Sequence, residues 1–220
     1  MADYLLNALV GAVTLTVAEE PVSGQTGVWI KQGTTVVSSA MTMRNAVVSS
    51  GQTQFVYSRG AAKNCTVKSG GVQHVSHGGV ASGCDVLHFQ YIHSGGTALA
   101  TTAHYRQYVS SGGSAVGTIL RVSPELAASV YPALSPAAGA FVSGVVAESR
   151  GSAWVQTDSA FDFSAISSGY ILVYGGFTLS GAVISSTGRL YIQSGGTALA
   201  VTSNAGATVT VTGGGHIEYA

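Results

Sequence analysis

The most constraining feature of this sequence is an internal repeat whose copies are spaced mostly 17 to 19 residues apart. Each copy contains one β-branched anchor residue. In the first four copies a glutamine precedes the anchor by two positions and a glycine follows it by four. A unit this short cannot bury its own apolar face, so successive copies must stack and share one core. The anchors are Val56, Val75, Ile92, Val109, Val155, Val173, Ile192 and Val211.

The residues within each copy indicate strands rather than helices. Short runs rich in Val, Thr, Tyr and Ile alternate apolar with polar residues and end at Gly or Ser-Gly. Tight hairpins would need Asn-Gly or Asp-Gly turns, and the sequence contains neither dipeptide. We therefore predict an all-β fold, a single-stranded parallel β-helix over residues 1–220 with about nine coils of roughly 17–20 residues. The crossover rule makes it a right-handed solenoid.

Two further columns of the repeat predict the dry interior of this solenoid. Small residues recur six positions after the anchor, and mostly larger apolar residues recur eleven positions after it. Because identical positions of successive coils stack, each column should form a continuous buried row. The first column is Ala62, Ala81, Ala98, Ala115 and Ala198, and the second is Val67, Val86, Ala103 and Leu120.

Two regions depart from the repeat. Residues 1–28 are expected to form an N-terminal cap or an irregular first coil. Residues 29–33 look like another copy, separated from the next anchor by an insertion of about seven residues. Residues 120–150 are expected to form an inserted loop with a short helix, because Ser123 and Pro124 suit a helix start and Pro132 would end it.

Composition excludes several function classes. Nine Lys and Arg balance nine Asp and Glu, and 8% of residues are charged, so a nucleic-acid-binding surface is disfavoured. No segment reaches the roughly 18 apolar residues of a transmembrane helix, so no membrane insertion is expected. The apolar stretch over residues 5–17 lacks a basic leader and reads poorly as a signal peptide. Two cysteines form neither a disulfide framework nor a four-ligand zinc site.

The clearest copies of the repeat are Lys68–Ala81 and His93–Thr102. Their Gly-Gly-x-Ala and Gln-x-Val steps resemble the passenger repeats of AIDA-type autotransporter adhesins, well over residues 47–118 and moderately over 165–214. The resemblance implies a bacterial cell-surface or secreted stalk. It also implies adherence, self-association, biofilm formation or binding of host or bacterial glycans, and in some members sugars on Ser and Thr. The signal peptide and translocator barrel of complete family members are not evident in these 220 residues.

Catalysis is disfavoured by the scarcity of acids. Glycoside hydrolysis needs two carboxyl groups facing one sugar, and Asp158 and Asp162 have no aligned partner one coil away. Between Lys31 and Arg121 the one acid is Asp85, which disfavours a calcium-dependent lyase. We therefore expect a non-enzymatic adhesin or stalk segment without a cofactor. A carbohydrate-binding or carbohydrate-cleaving β-helix is one alternative, and a phage or virion fibre segment is another.

A cluster of histidines raises the question of a metal site. Five histidines lie within 31 residues, but no two of them share a column of the repeat, so their rings should not converge on one ion. We predict no metal site and a mild pH dependence from their titration. These residues are His74, His77, His88, His93 and His104.

Aromatic residues give the candidate binding surface. Rings stand immediately before successive anchors, and since side chains alternate along a strand they should point outward where the anchors point inward. Such rings either stack into a structural ladder or form an exposed strip for a sugar or a second copy of the chain. The residues of this aromatic column are Trp29, Phe55, His74, Tyr91, Tyr108, Trp154 and Tyr191.

The two cysteines occupy one column of the repeat. Cys65 and Cys84 each follow an anchor by nine residues, and Thr101 and Thr118 continue the column. We predict that the thiols stack on adjacent coils about 5 Å apart and remain reduced. A disulfide would be strained, because in-register side chains keep the Cβ atoms beyond the favoured separation of about 3.8 Å.

Overall fold

The computed structural model describes residues 24–126, 131–148, 150–157 and 159–220. Over these residues the chain is an all-β solenoid of about nine turns with parallel sheets and no helix, which confirms the predicted fold class. In chain order the strands are β1 (Val28–Gln32), β2 (Thr35–Ala40), β3 (Thr42–Arg44), β4 (Val47–Val48), β5 (Gln52–Val56), β6 (Ala61–Lys63), β7 (Thr66–Val67), β8 (Val72–Val75), β9 (Val80–Ser82), β10 (Asp85–Val86), β11 (Phe89–Ile92), β12 (Thr97–Leu99), β13 (Thr102–Ala103), β14 (Arg106–Val109), β15 (Ser114–Val116), β16 (Ile119–Leu120), β17 (Ala133–Pro136), β18 (Phe141–Ser143), β19 (Val146–Ala147), β20 (Ser152–Val155), β21 (Ser159–Ala165), β22 (Tyr170–Val173), β23 (Thr178–Ile184), β24 (Arg189–Ile192), β25 (Thr197–Ser203), β26 (Thr208–Val211) and β27 (His216–Tyr219).

Each coil contributes to two sheets. The first sheet has 11 strands in the order β2-β1-β5-β8-β11-β14-β17-β20-β22-β24-β26. The second sheet has 16 strands, and in the earlier coils each turn supplies two short ones, such as β6 and β7. From β21 onward the two short strands merge into one strand of up to seven residues. The solenoid therefore has a first sheet of one strand per coil and a second sheet that straightens toward the C-terminal coils.

The anchors predicted from the sequence pair directly between coils. Val56 pairs with Val75, Val75 with Ile92, and Ile92 with Val109, all in parallel register. After the interruption Val155, Val173, Ile192 and Val211 pair in the same way. All of these anchors except Val211 are buried. Pro136 pairs with Val109 and fills the one anchor position that the repeat did not reveal.

The described part of the chain begins with a hairpin and not with a parallel coil. β1 pairs antiparallel with β2 on one side and with β5 on the other, so the expectation that residues 29–33 begin a parallel copy was wrong. Trp29 does face Phe55 across the ladder, and Ile30 faces Gln54. The alternation of side chains is the same in both strand directions, so the pattern alone could not reveal the reversal. Residues 1–23 of the predicted cap lie outside the described residues.

Part of the region predicted as an insertion, residues 120–150, belongs to the solenoid. β17, β18 and β19 pair in parallel with strands of the coils before and after them. Residues 121–126 form turns and irregular structure, and residues 127–130 of the predicted helix lie outside the described residues. The base of the loop is fixed by an ion pair between Arg121 and Glu148 and by His104 Nδ1, which lies 2.7 Å from the carbonyl oxygen of Arg121.

The interior is a set of stacked rows, as the two inner columns predicted. Ala62 pairs with Ala81 and Val67 with Val86, and all four side chains are buried. Glycine at the turns is required by close packing between coils. A Cβ atom on Gly96 would lie 2.3 Å from the carbonyl oxygen of Val75 on the preceding coil. No helix in the described part of the chain is both long and apolar enough to cross a membrane.

Candidate functional site

Four members of the aromatic column stack into a continuous ladder on the outer face of the first sheet. The ring centroids are 5.2 Å apart for Phe55 and His74, 5.0 Å for His74 and Tyr91, and 5.3 Å for Tyr91 and Tyr108. Neighbouring planes differ by at most 15°. The parallel register produces this arrangement, because it places Phe55, His74, Tyr91 and Tyr108 directly opposite one another on successive strands.

The stacked ladder hides the faces of its rings. Phe55 and His74 are buried with 7% of their surface exposed, and Tyr91 and Tyr108 are half-buried. Burial raises the pKa of both tyrosines. Each ring covers the face of the next, so solvent meets mainly ring edges. A sugar that stacks on an aromatic ring needs an open face, and these four rings offer little of it.

The other three aromatic residues are separated from this ladder. Ser135 follows Tyr108 in the column, and Leu172 separates Trp154 from Tyr191. Trp29 lies opposite Phe55 on the reversed strand, where its ring meets Tyr57 edge-on at 6.5 Å. The structure therefore brings four of the seven predicted residues together as one ladder, and the remaining three, Trp29, Trp154 and Tyr191, lie apart from it.

Cations pack on one ring of the ladder and on two aromatic rings near it. Lys31 lies over Phe55, with Nζ 5.3 Å from the ring centroid. The guanidinium of Arg106 lies 5.6 Å from the centroid of Tyr105 and 5.7 Å from that of Trp154. Arg106 therefore links Tyr105 to Trp154, a residue of the aromatic column outside the ladder. Such cation–π contacts are worth about 0.5–1 kcal/mol each where they are exposed, and the contact of Lys31 with Phe55 stabilises the ladder itself.

The histidines of the cluster have different partners. His74 Nδ1 lies 2.9 Å from Nε2 of His93, and burial together with the charge of His93 lowers the pKa of His74 to about 3. His104 Nε2 lies 2.7 Å from Asp85 Oδ1. Burial also lowers the pKa of His88. The described residues contain no group of three or more His, Cys, Asp or Glu side chains that could hold a metal ion.

The two acids considered for catalysis do not form a described pair. Asp162 is exposed on β21 in a left-handed backbone conformation, with φ of 56°. Asp158 lies outside the described residues. The position of Asp162 on the outside of the second sheet is typical of a solvated surface acid.

The buried rows include a ladder of glutamines that was not predicted from the sequence. Gln54, Gln73, Gln90 and Gln107 are fully buried, and each Nε2 after the first donates to Oε1 of the glutamine on the preceding coil at 2.5–2.6 Å. At the far end, Thr118 Oγ1 donates to Gln107 Oε1 at 2.9 Å. Glutamine precedes each of the first four anchors by two positions, and a residue two positions from an inward side chain also points inward. The signal for the ladder was therefore present in the sequence.

The cysteines lie at the opposite end of this ladder. Thr66 pairs with Asp85, which places the preceding residues, Cys65 and Cys84, on adjacent coils. Both are buried free thiols. A hydrogen bond between the two thiols raises the pKa of Cys84, to which burial adds, and lowers the pKa of Cys65 to about 6.

An exposed apolar patch lies on the outside of the second sheet. The patch was not predicted from the sequence. Its two phenylalanines, Phe141 and Phe161, sit on adjacent coils with ring centroids 6.0 Å apart, and they expose 43% and 38% of their surface. Leu99 and Val183 are exposed elsewhere on this sheet. Unlike the aromatic ladder, this patch presents uncovered apolar surface to solvent.

One of the comparisons with known proteins agrees with the resemblance that the repeat shows. Neither a protein-family model nor a curated protein sequence matches the chain. Among solved structures, the chain is similar to a fragment of TibA, TibA55-350, whose hyper-glycosylation was catalysed by TibC. The match has a TM-score of 0.55 and 25% sequence identity, and covers 80% of this chain and 77% of the fragment. The likeness therefore extends over most of the solenoid.

Proposed function

We propose that this chain is a non-enzymatic stalk segment of a bacterial adhesin, located on the cell surface or secreted, and that it mediates adherence through self-association. The observation that carries the proposal is the likeness to the TibA fragment over 80% of the chain. TibA is an AIDA-type autotransporter adhesin, the class that the repeats resemble.

The architecture supports a stalk role. Nine coils from β5 to β26 at about 4.8 Å each form a rod roughly 40 Å long. Backbone hydrogen bonds join every coil to its neighbours, and the buried rows of Ala, Val and Gln lock the register. A rod of this kind holds whatever it displays at a fixed distance and orientation.

The patch around Phe141 and Phe161 is the surface that best supports self-association. The occupant that fits it is a second copy of the chain, because zero formal net charge and 8% charged residues mean that copies do not repel one another. Burying a phenylalanine side chain stabilises association by about 1.5–3 kcal/mol. The two rings expose 43% and 38% of their surface, together less than one full side chain, so loss of both should weaken association by roughly 10- to 50-fold.

Two double variants test the proposal. Phe141→Ser with Phe161→Ser should abolish clumping of cells that display the chain and lower its sedimentation coefficient in solution. Tyr91→Ser with Tyr108→Ser should leave both measurements unchanged, because those ring faces are already covered within one molecule. Far-UV circular dichroism of both variants controls for folding.

The same experiment distinguishes the alternatives. If the wild-type chain neither clumps cells nor associates in solution, the proposed function is wrong. If it binds a glycan array and the tyrosine variant loses that binding, the carbohydrate-binding alternative takes its place. Cleavage of a polysaccharide that is lost on changing Asp162 to Asn would instead identify an enzyme.

A further inference from the structure

Three sulfur atoms gather inside the N-terminal coils. Met43, Cys65 and Cys84 are all buried, with at most 7% of any of them exposed. The side-chain amide of Gln54 contacts two of these sulfurs: its Nε2 lies 3.5 Å from Met43 Sδ and 3.6 Å from Cys65 Sγ. The interior at this point is therefore lined by two thiols and a thioether, with amide donors directed at them.

The spacing of the two thiols suits a bridging ion. Adjacent strands lie about 4.7–4.9 Å apart, and in-register side chains keep nearly the same separation. A thiolate sulfur binds a metal at about 2.3 Å, so a linear sulfur–metal–sulfur unit spans about 4.6 Å. A disulfide needs the Cβ atoms at about 3.8 Å instead. The in-register positions of Cys65 and Cys84 on adjacent strands therefore suit a metal bridge better than a covalent bond.

The glutamine ladder points its donor end at these sulfurs. Its amides are aligned in one direction, each Nε2 donating toward the N-terminal coils. The last donor, Gln54 Nε2, has no further glutamine and faces Cys65 and Met43, while Gln73 Nε2 lies 3.6 Å from Cys84 Sγ. Aligned hydrogen-bonded dipoles reinforce one another, and their positive end stabilises negative charge. The ladder thus supplies what a pair of buried thiolates needs.

We propose that Cys65 and Cys84 bridge one Cu(I) ion or an ion of the same soft class, with the Met43 thioether on the preceding coil as a neighbouring soft group. Thiolate and thioether ligands select such ions over harder ones. On binding, each thiol releases one proton and the ion forms two sulfur bonds, which leaves a complex of charge −1. The amides of Gln54 and Gln73 solvate that charge as outer-shell donors.

The site would also act as a staple between two coils. A metal that binds only the folded chain raises its stability by mass action. The bridge joins the coil of Cys65 to the next coil, next to the reversed strands β1 and β2. This consequence gives a readout that does not depend on any adhesive activity.

Competition with a chelator tests the proposal. The reduced full chain is mixed with Cu(I) in the absence of oxygen, and bathocuproine disulfonate is then added. The wild type should retain one Cu(I) per chain, show a sulfur shell without nitrogen in X-ray absorption, and melt at a higher temperature with copper than without it. Retention of no copper, or a shell of nitrogen from surface histidines, would overturn the site.

Matched variants locate the ion. Cys84→Thr should lose the retained copper, and it should fold because Thr101 and Thr118 already occupy the same column in later coils. Cys65→Ser serves as a second variant if Cys84→Thr unfolds. Gln54→Leu should weaken binding about 10–100-fold, as loss of outer-shell partners does. Thr118→Ser, in the same column beyond the sulfurs, should bind like the wild type. Equal retention by Cys84→Thr and the wild type would refute the assignment.

Discussion

Replacing one member of the glutamine ladder should destabilise the solenoid far more than an apolar exchange of similar size. Gln90 is fully buried; its Nε2 donates to Gln73 Oε1 at 2.5 Å and its Oε1 accepts from Gln107 Nε2 at 2.5 Å. Gln90→Leu leaves that acceptor on Gln73 and that donor on Gln107 without partners in a dry interior. The expected effect is large because neither group can reach water.

The size of the effect follows from the two orphaned groups. A buried polar group without a partner costs about 1–3 kcal/mol, so the free energy of unfolding should fall by about 2–6 kcal/mol. A typical domain has about 5–15 kcal/mol in total. Replacing all four glutamines by leucine removes each donor together with its acceptor and leaves mainly Thr118 Oγ1 unpaired. The fourfold variant should therefore lose much less than four times the single-variant value.

Urea unfolding followed by far-UV circular dichroism measures both quantities. Leu190 occupies the equivalent inward position in a later coil and is buried, so leucine itself is compatible with the column. A loss below about 1 kcal/mol for Gln90→Leu would mean that the ladder hydrogen bonds are replaced by water. A fourfold variant that loses the full sum would refute the pairing argument.

Two other perturbations follow from close packing and from burial. Gly169→Ala places a Cβ atom 1.7 Å from a carbonyl oxygen of the preceding coil, so the free energy of unfolding in urea should fall by about 3 kcal/mol. The control Gly213→Ala, whose Cβ would have no atom within 4 Å, should change it hardly at all. Equal losses in the two variants would contradict the packing. Because the folded state lowers the pKa of His74 to about 3, the unfolded chain binds its proton more readily, so stability should be full above pH 6.5 and fall toward pH 3 by up to about 1.4 kcal/mol per pH unit. His74→Phe should flatten that decline, and an unchanged pH profile would exclude His74 as its source.

The solenoid could be predicted from the sequence because its information is repeated. Every anchor from Val56 onward restates the same register, so one irregular copy does not hide the pattern. Pro136 escaped recognition because a ten-residue lengthening separates it from Val109 and because proline is not β-branched. The reversed direction of β1 escaped for a different reason. Side chains alternate with a period of two residues in parallel and antiparallel strands alike, so the alternation does not indicate the direction of a strand.

The exposed patch could not be predicted because of a change of one residue in coil length. Counting six residues from Val155 points to Phe161, which would then belong to the buried column. In the structure Ala160 is buried and Phe161 is exposed. A single-residue shift moves a side chain to the opposite face of a strand, and only the pairing of Val142 with Ala160 fixes it. Positions beside a turn are thus the least predictable part of a solenoid.

The reversed hairpin makes the two poles of the rod unlike. At one pole the first sheet ends in β2, an exposed strand that runs against its neighbour, while at the other pole β26 and β27 end in parallel edges. Because β1 and β2 each reverse, β2 runs in the same direction as β5 and the later strands of this sheet. Among the described residues β2 is the edge strand of the first sheet, and its side chains are exposed. Edge strands are where another chain can add a strand, so the hairpin moves this edge two strands away from the buried rows of the first complete coil.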